Sequence, residues 1–389
     1  MNLLKGKRVV DMGGFVTGPL TGQLLGDFGA DVIKIEPPEG GDPLRGYFGD
    51  ELYSPNFQSQ NRNKKSLTLD SSKPEGLEII KKLVAEADVF IINNRPGVAD
   101  RKGYGYQALR AVNPRLVYCS ITGFGNDGPA AQRPSFDNVG QSVSGWGSRT
   151  QRGDDPRVAS PLVADPTTAY FATMGILAAL VERADTGVGR LIEVNMLEAM
   201  IAALVEPMTR YLDTGEVPGV FERAAISQAY NVTCKDGKRI GLHASPFDKF
   251  WGAMCVAVER PDMLTSYPNR DARVAAYEEI GEILVEAFAK KTRAEWTPIL
   301  EEAGFPFAAQ YELDEVLQDE QVKHLDVVHE APRRGGKTVK MLRRPIWADG
   351  SREIDYLPPP ELGEHTDEIL ASIGLEPARI AELRRAKIV

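Results

Sequence analysis

The feature that most limits what this chain can fold into is an alternation, through its first third, of short apolar runs with stretches of helical periodicity. Arg8 to Met12 is one such run, ended by Gly13-Gly14. Gly18 to Phe28 then carries Leu20, Leu24, Leu25 and Phe28 at helical spacing, and Gly29 leads into the strand-like Asp31 to Ile35. The pattern recurs twice more. A helix over Ile79 to Ala87 leads to a strand over Val89 to Ile92, and a helix over Tyr106 to Val112 leads to a strand over Leu116 to Ser120. A β-α-β-α-β series of this kind predicts an α/β fold on a parallel, doubly wound sheet.

Asp165-Pro166 predicts the start of a further helix reaching about Ala184, where Asp185-Thr186-Gly187 turns the chain. Leu191 to Val194 reads as a strand and Met196 to Leu212 as one long apolar helix. Beyond Thr214 to Gly219 the pattern changes to short strands such as Lys238 to Leu242, with helices over Ala272 to Ala289 and Arg293 to Glu302. A Pro- and Arg-rich stretch follows from about residue 330, then helices over Thr366 to Ile373 and Pro377 to Arg385. The 389 residues exceed what one core usually supports. We expect a large domain begun by residues 1–205, a linker over 206–224, a smaller α+β domain over 225–325, and a return of 326–389 to the large domain.

The net charge of −9 argues against a nucleic-acid partner, which requires a basic face. Met1 to Arg8 lacks the apolar region of a signal peptide, and the longest apolar run, Ala169 to Val181, is too short to span a bilayer. No membrane partner is expected. Cys119, Cys234 and Cys255 are widely spaced and odd in number, which fits a reducing cytoplasm. His243, His324, His329 and His365 form no metal-binding spacing, so no metal is expected.

Three segments bear on chemistry. The turn Gly13 to Pro19, between a strand and a helix, either leaves backbone N–H groups free to hold an anion or simply connects the two elements. It lacks the G-x-G-x-x-G spacing, and Asp31 is too close to be a ribose-binding acid, which disfavours a nicotinamide-dependent dehydrogenase. Asp165 before Pro166 is a standard N-cap pair, yet the dipole that favours a capping carboxylate equally favours an ionised nucleophile. An ordinary Asp titrates at about 4 and is almost wholly ionised at neutral pH, as an attacking carboxylate requires. Asp137 and Gln141, four apart, share one helical face. Arg62, Lys64, Lys65 and Arg101 are candidates to meet phosphates, or plain surface cations.

Taken in order, these segments resemble the class III CoA-transferase family, the CaiB/BaiF type. The resemblance rests on Val10-Asp11 with Gly18-Pro19, Gly29 to Glu36, Gly41-Asp42 with Arg45, Asn63 to Ser66, and Asn94 to Gly97. It continues through Asn113 to Val117, Thr122 to Gly125, Phe136-Asp137 with Gln141, and Thr186-Gly187 with Gly189. Leu362 to Thr366, followed by Ile369-Leu370, completes it.

The resemblance implies a Rossmann-like large domain made from N- and C-terminal parts and a small domain reached by long linkers. It implies two ring-like chains interlocked as a homodimer, or a pairing with a homologous subunit. It implies an enzyme that moves coenzyme A from an acyl-CoA to a carboxylic acid, with no permanently bound cofactor. Asp165 falls at the family's nucleophilic aspartate, and Asp137 at an acidic residue that lines the reaction centre. The CoA contacts map to Val16, Thr17, Leu69, Ser72, Asn93, Asn94, Arg95 and Arg101. There are departures. Val16 stands where some members carry a glutamine, and Pro37 and Ser72 replace phosphate-holding cations. Ile226 to Tyr230 lacks the multi-glycine lid of formyl-CoA transferases, which disfavours oxalate and formate.

The implied mechanism is attack of Asp165 on a thioester, giving a mixed anhydride and then an aspartyl-CoA thioester. Oxyanion donors are expected from backbone N–H groups at the start of the 165 helix or in the small domain. The related α-methylacyl-CoA racemases carry a histidine where this chain has Phe136, which cannot take a proton. Met200, Met208, Tyr211, Phe221, Tyr230 and Trp251 are either core or an apolar acyl pocket. Arg210 and Arg223 are candidates for a second carboxylate.

Overall fold

Six strands form one sheet: β1 (Arg8–Asp11), β2 (Asp31–Glu36), β3 (Lys64–Thr68), β4 (Val89–Ile92), β5 (Val117–Thr122) and β6 (Leu191–Asn195). All neighbours run parallel, in the order β3-β2-β1-β4-β5-β6. That order is the standard doubly wound arrangement, in which the chain winds outward from the centre in both directions. These findings come from a computed structural model that describes residues 2–49, 51–150, 157, 161–244 and 248–389.

Successive residues of a strand face opposite sides of a sheet, so each apolar run supplies two cores. Val9, Val32, Val89, Ile91, Val117 and Cys119 meet Leu25 of α1 (Thr17–Asp27) on one face, the layer from which Ala172, Ile176 and Ala179 also rise. Their immediate neighbours Val10, Ile33, Phe90, Ile92 and Tyr118 form the other core. It is covered by Ile79, Ile80 and Leu83 of α2 (Pro74–Ala85) and Leu109 of α3 (Tyr106–Val112). Ile369, Leu370 and Leu383, from the helices Thr366–Ser372 and Pro377–Arg385, complete the covering. The C-terminal segment is thus part of the same layered body as β1. Three further helices matter to the site: α4 (Asp137–Val143), α5 (Ala164–Thr186) and α6 (Met196–Ala203).

Contacts divide the chain into two units, Met1–Met208 with Val327–Val389, and Thr209–Asp326. The second unit has its own antiparallel sheet of β7 (Ala229–Thr233), β8 (Arg239–His243) and β9 (Phe307–Gln310). Its core gathers Val232, Ile240, Trp251, Met254, Leu284, Phe288 and Trp296.

Three departures from the sequence reading have physical causes. β3 was not foreseen because its first two residues are lysines; Lys64 is buried only because charges inside the fold meet it. The single helix expected over 196–212 is interrupted at Leu204, which separates α6 from the helix Val205–Thr214. The stretch after 330 contains a hairpin, β10 (Val328–Arg333) with β11 (Lys337–Leu342), turned by Gly335 and Gly336 at positive φ. Among the described residues no helix is long and apolar enough to cross a membrane.

Candidate active site

In this strand order the connections from β1 and β4 leave toward opposite faces, and a crevice opens at the carboxyl ends of the two strands. A cavity of about 530 Å³ lies there. One wall is Phe15, Val16 and Thr17, following β1; another is Asn93 to Pro96, following β4. Arg133 to Phe136 precede α4, and Asp165 and Met196 close the ring from α5 and α6. Asp165 is the only acid among the described residues of the wall, and Arg95 and Arg133 are its cations. Neither arginine pairs with a described carboxylate; Arg133 rests over the Phe124 ring, 5.1 Å from its centroid. A smaller cavity of about 230 Å³ shares Asn94, Arg95 and Pro96 with the first.

Asp165 is the second residue of α5, not its cap. The cap is Val163, which has no side-chain oxygen to offer, and the expected Asp165 cap is corrected accordingly. The amides of Val163 and Asp165 donate instead to Oδ2 of Asp137, each at 3.0 Å, and Gln141 Nε2 donates to Asp137 Oδ1. Asp137 is 7% exposed and stands behind Asp165, outside the cavity wall. The Asp165 carboxylate takes no hydrogen bond or ion pair from any described residue. Burial, reinforced by the Asp137 charge, pushes its carboxyl up to about 7. The expectation of an ordinary carboxyl, almost wholly ionised at neutral pH, is corrected too: burial and the Asp137 charge hold its proton on toward neutral pH.

The first three amides of the glycine turn are already claimed, whereas α1 starts at Val16-Thr17 with no side-chain cap. Gly13 N–H donates to Asp11 Oδ1 at 2.8 Å, Gly14 N–H to Asn93 Oδ1 at 2.9 Å, and Phe15 N–H to Asp42 Oδ1 at 3.3 Å. The carbonyls are held as well: Lys34 Nζ donates to Gly13 O at 2.8 Å and Asn93 Nδ2 to Gly14 O at 2.7 Å. So fixed, Phe15 adopts φ 59°, a left-handed conformation costly for a bulky residue. Its ring meets Phe136 edge-on at 5.7 Å.

Beneath the turn lies a closed set of charges, Asp11, Glu36 and Asp42 against Lys34, Arg45 and Lys64, all buried. Lys34 pairs with Asp42 at 2.9 Å, Arg45 with Glu36 at 2.6 Å, and Lys64 with Asp11 at 2.9 Å. Burial pushes the Asp11 carboxyl up, but Lys64 and Lys34 outweigh it and hold it below its ordinary value. Burial takes Lys64 down to about 8, so it keeps its charge at neutral pH. Lys64 is therefore not a phosphate ligand. Lys65 pairs with Glu368 at 2.8 Å and Arg62 with Asp27 at 2.5 Å, so these candidates too are engaged within the fold.

Of the expected CoA contacts, Val16, Thr17, Asn93, Asn94 and Arg95 come together on the cavity wall. Leu69 does not; it is sealed in the core on one face of the sheet. Ser72 is exposed, with its Oγ on Asp70, and Arg101 is exposed at the end of a short helix; neither is on the wall. Met200, Tyr230 and Trp251 are core, and Arg210 is paired with Glu222. The residues missed are Phe15, Arg133 and Met196. Phe15 lay inside a segment already singled out, but nothing in its spacing distinguished it from its neighbours. Among the described residues no group of three His, Cys, Asp or Glu side chains is placed to hold a metal.

A doubly wound sheet with a carboxylate and two arginines at its switch point is an α/β arrangement whose crevice has the charges to meet an anionic ligand. Residues 4–366 match the model of CoA-transferase family III, and the chain belongs to that family. The (R)-2-hydroxy-4-methylpentanoate CoA-transferase of Clostridioides difficile is 31% identical, over 100% of this chain and 99% of its own. The succinyl-CoA:glutarate CoA-transferase of Homo sapiens is 31% identical over 99% of this chain and 90% of its own. A CaiB/BaiF family protein from Brucella suis has a solved structure that superimposes with a TM-score of 0.83 at 32% identity, covering 95% of this chain and 99% of its own. The protein is a CoA-transferase, and its substrates are CoA thioesters.

Proposed function

We propose that Asp165 is the covalent nucleophile in the transfer of CoA from an acyl-CoA donor to a small carboxylic acid. One observation carries the reading: a carboxylate with no partner among the described residues, facing the cavity at the switch point and titrating near working pH. Asp165 Oδ attacks the thioester carbonyl, the C–S bond breaks, and CoA thiolate leaves a mixed anhydride behind. The thiolate attacks the aspartyl carbonyl, releasing the donor acid and forming an aspartyl-CoA thioester. The acceptor carboxylate attacks that thioester, and the thiolate returns to the acceptor's carbonyl, freeing Asp165. Anhydride and thioester are both activated acyl groups, so each step exchanges one for the other with no external energy source.

CoA would extend from Asp165 past Asn94, Arg95 and Pro96 toward the smaller cavity, its phosphates answered by Arg95. The layered body of residues 1–205 and 326–389 would form the CoA-binding domain, and 225–325 the small domain, in an interlocked homodimer. The named relatives act on a branched hydroxy acid and on dicarboxylic acids, which supports small aliphatic acids as the partners of transfer. Incubation with an acyl-CoA and hydroxylamine, read by mass spectrometry, should leave a hydroxamate on Asp165, and Asp165→Ala should be inactive. An unlabelled Asp165 together with an active Asp165→Ala protein would end this reading.

A further inference from the structure

Two carboxylates meet at the start of α5, and the fold treats them in opposite ways. Asp137 accepts from the Val163 amide, the Asp165 amide and the Gln141 side chain. Asp165 accepts from no described residue. An acidic side chain in a first helical turn ordinarily folds back onto the unpaired amides there. Here two amides at that end already have an acceptor from outside the helix, so nothing draws Asp165 away from the cavity. α4 lies close enough for this because residue 140 is glycine: a Cβ there would fall 2.4 Å from Met196 Sδ and 3.2 Å from Ala164 Cβ.

We infer that Asp137 is a positioning residue for the nucleophile: its carboxylate caps α5 from outside, leaves Asp165 turned to the cavity, and sets a fixed negative charge behind it. The inference rests on Asp165 being the nucleophile. The electrostatic consequence agrees with the geometry. Burial raises the Asp165 carboxyl first and the Asp137 charge raises it second. A more basic carboxylate attacks a carbonyl more readily, provided enough of it stays ionised. Other charges on surrounding elements are Arg95 after β4, Arg133 before α4, Glu198 on α6, Glu193 on β6 and Asp27 at the far end of α1. Glu198 is held by Asn195, Glu193 by Asn126 and Asp27 by Arg62. Of these groups, only Asp137 acts on the Asp165 carboxyl.

The experiment compares Asp137→Asn and Asp137→Ala with the unaltered protein in pH profiles of kcat/KM for the acyl-CoA donor. Asn keeps an oxygen for the two amides and removes the charge, so the acid limb should move from about pH 7 to lower pH by about one unit or more. Ala removes both, and kcat should fall about 100-fold with KM changed little, the usual effect of a displaced reacting group. A purely structural role would lower the amount of folded enzyme without moving the acid limb. An acid limb unchanged in Asp137→Asn, in protein that melts normally, would overturn the inference, as would full kcat in Asp137→Ala. The hydroxamate on Asp165 separates the two levels: if it never forms, the nucleophile assignment fails; if it forms while the limb stays put, only the role of Asp137 fails.

Discussion

Lys64 Nζ lies 2.9 Å from Asp11 Oδ2, and neither side chain has any contact with solvent. The lysine also donates to Pro19 O at 2.6 Å and Asn61 Oδ1 at 2.8 Å, while Asp11 holds the Gly13 amide. The pair therefore ties β3 and β1 to the turn that forms one wall of the cavity.

Lys64→Met should destabilise the protein by about 3–5 kcal/mol, because it removes the ion-pair partner of a buried Asp11 and leaves it only the Lys34 charge and the Gly13 amide. Adding Asp11→Asn should recover part of that loss, since the orphaned charge is then gone. Denaturant midpoints of the two single variants and the double variant check this. Equal stability of Lys64→Met and the unaltered protein would mean that the pair is not closed to water.

Gly13 tests the turn directly. A Cβ at this position would lie 2.7 Å from Gly18 Cα, a backbone atom that cannot swing away, and 3.0 Å from Pro19 Cδ. Gly13→Ala should open the turn, cost about 1–3 kcal/mol of stability and raise KM for acyl-CoA about tenfold, equivalent to about 1.4 kcal/mol of binding. Steady-state kinetics alongside thermal melts separate the two effects.

How far the sequence discloses all this differs by feature. The two-core sheet is legible because pairs such as Val9-Val10, Val89-Phe90 and Ile91-Ile92 are apolar on both faces, and only a strand covered on both sides needs that. β3 is not legible, since the residues that complete its ladder are lysines whose burial depends on acids far away in the chain. Asp165 stands out through order and resemblance, but its chemistry does not. Its carboxyl is raised by burial first and then by Asp137, which lies 28 residues earlier and reaches it only through the packing of α4 on α5. The glycine turn is only half legible for a related reason: a run of glycines says that the backbone bends, not that Asp11, Asn93 and Asp42 will have claimed the amides of Gly13, Gly14 and Phe15.

Arg95 is the cation of the cavity wall that both cavities share. If it answers a phosphate of CoA, Arg95→Ala should raise KM for acyl-CoA about 10- to 100-fold, the loss of a hydrogen bond to a charged group at about 1.5–3 kcal/mol. Arg95→Lys should recover part of it, as a point charge without the paired geometry. The effect should shrink as salt rises. A KM indifferent to all three changes would remove Arg95 from the binding site.

Asp165 should also weaken the fold as pH rises. Its folded-state value of about 7 lies above the unfolded 3.8, so the unfolded chain gives up this proton first. The penalty is absent below about pH 3, grows through the interval between the two values, and levels off above 7 at up to about 4 kcal/mol. Asp165→Asn carries no titrating proton and keeps the side-chain shape. The variant should therefore match the unaltered protein near pH 3–4 and exceed it at pH 8, with a difference in melting temperature that opens across pH 4–7. Parallel melting curves at every pH would show the carboxyl to be freely solvated, and would withdraw the physical basis for treating it as a tuned nucleophile.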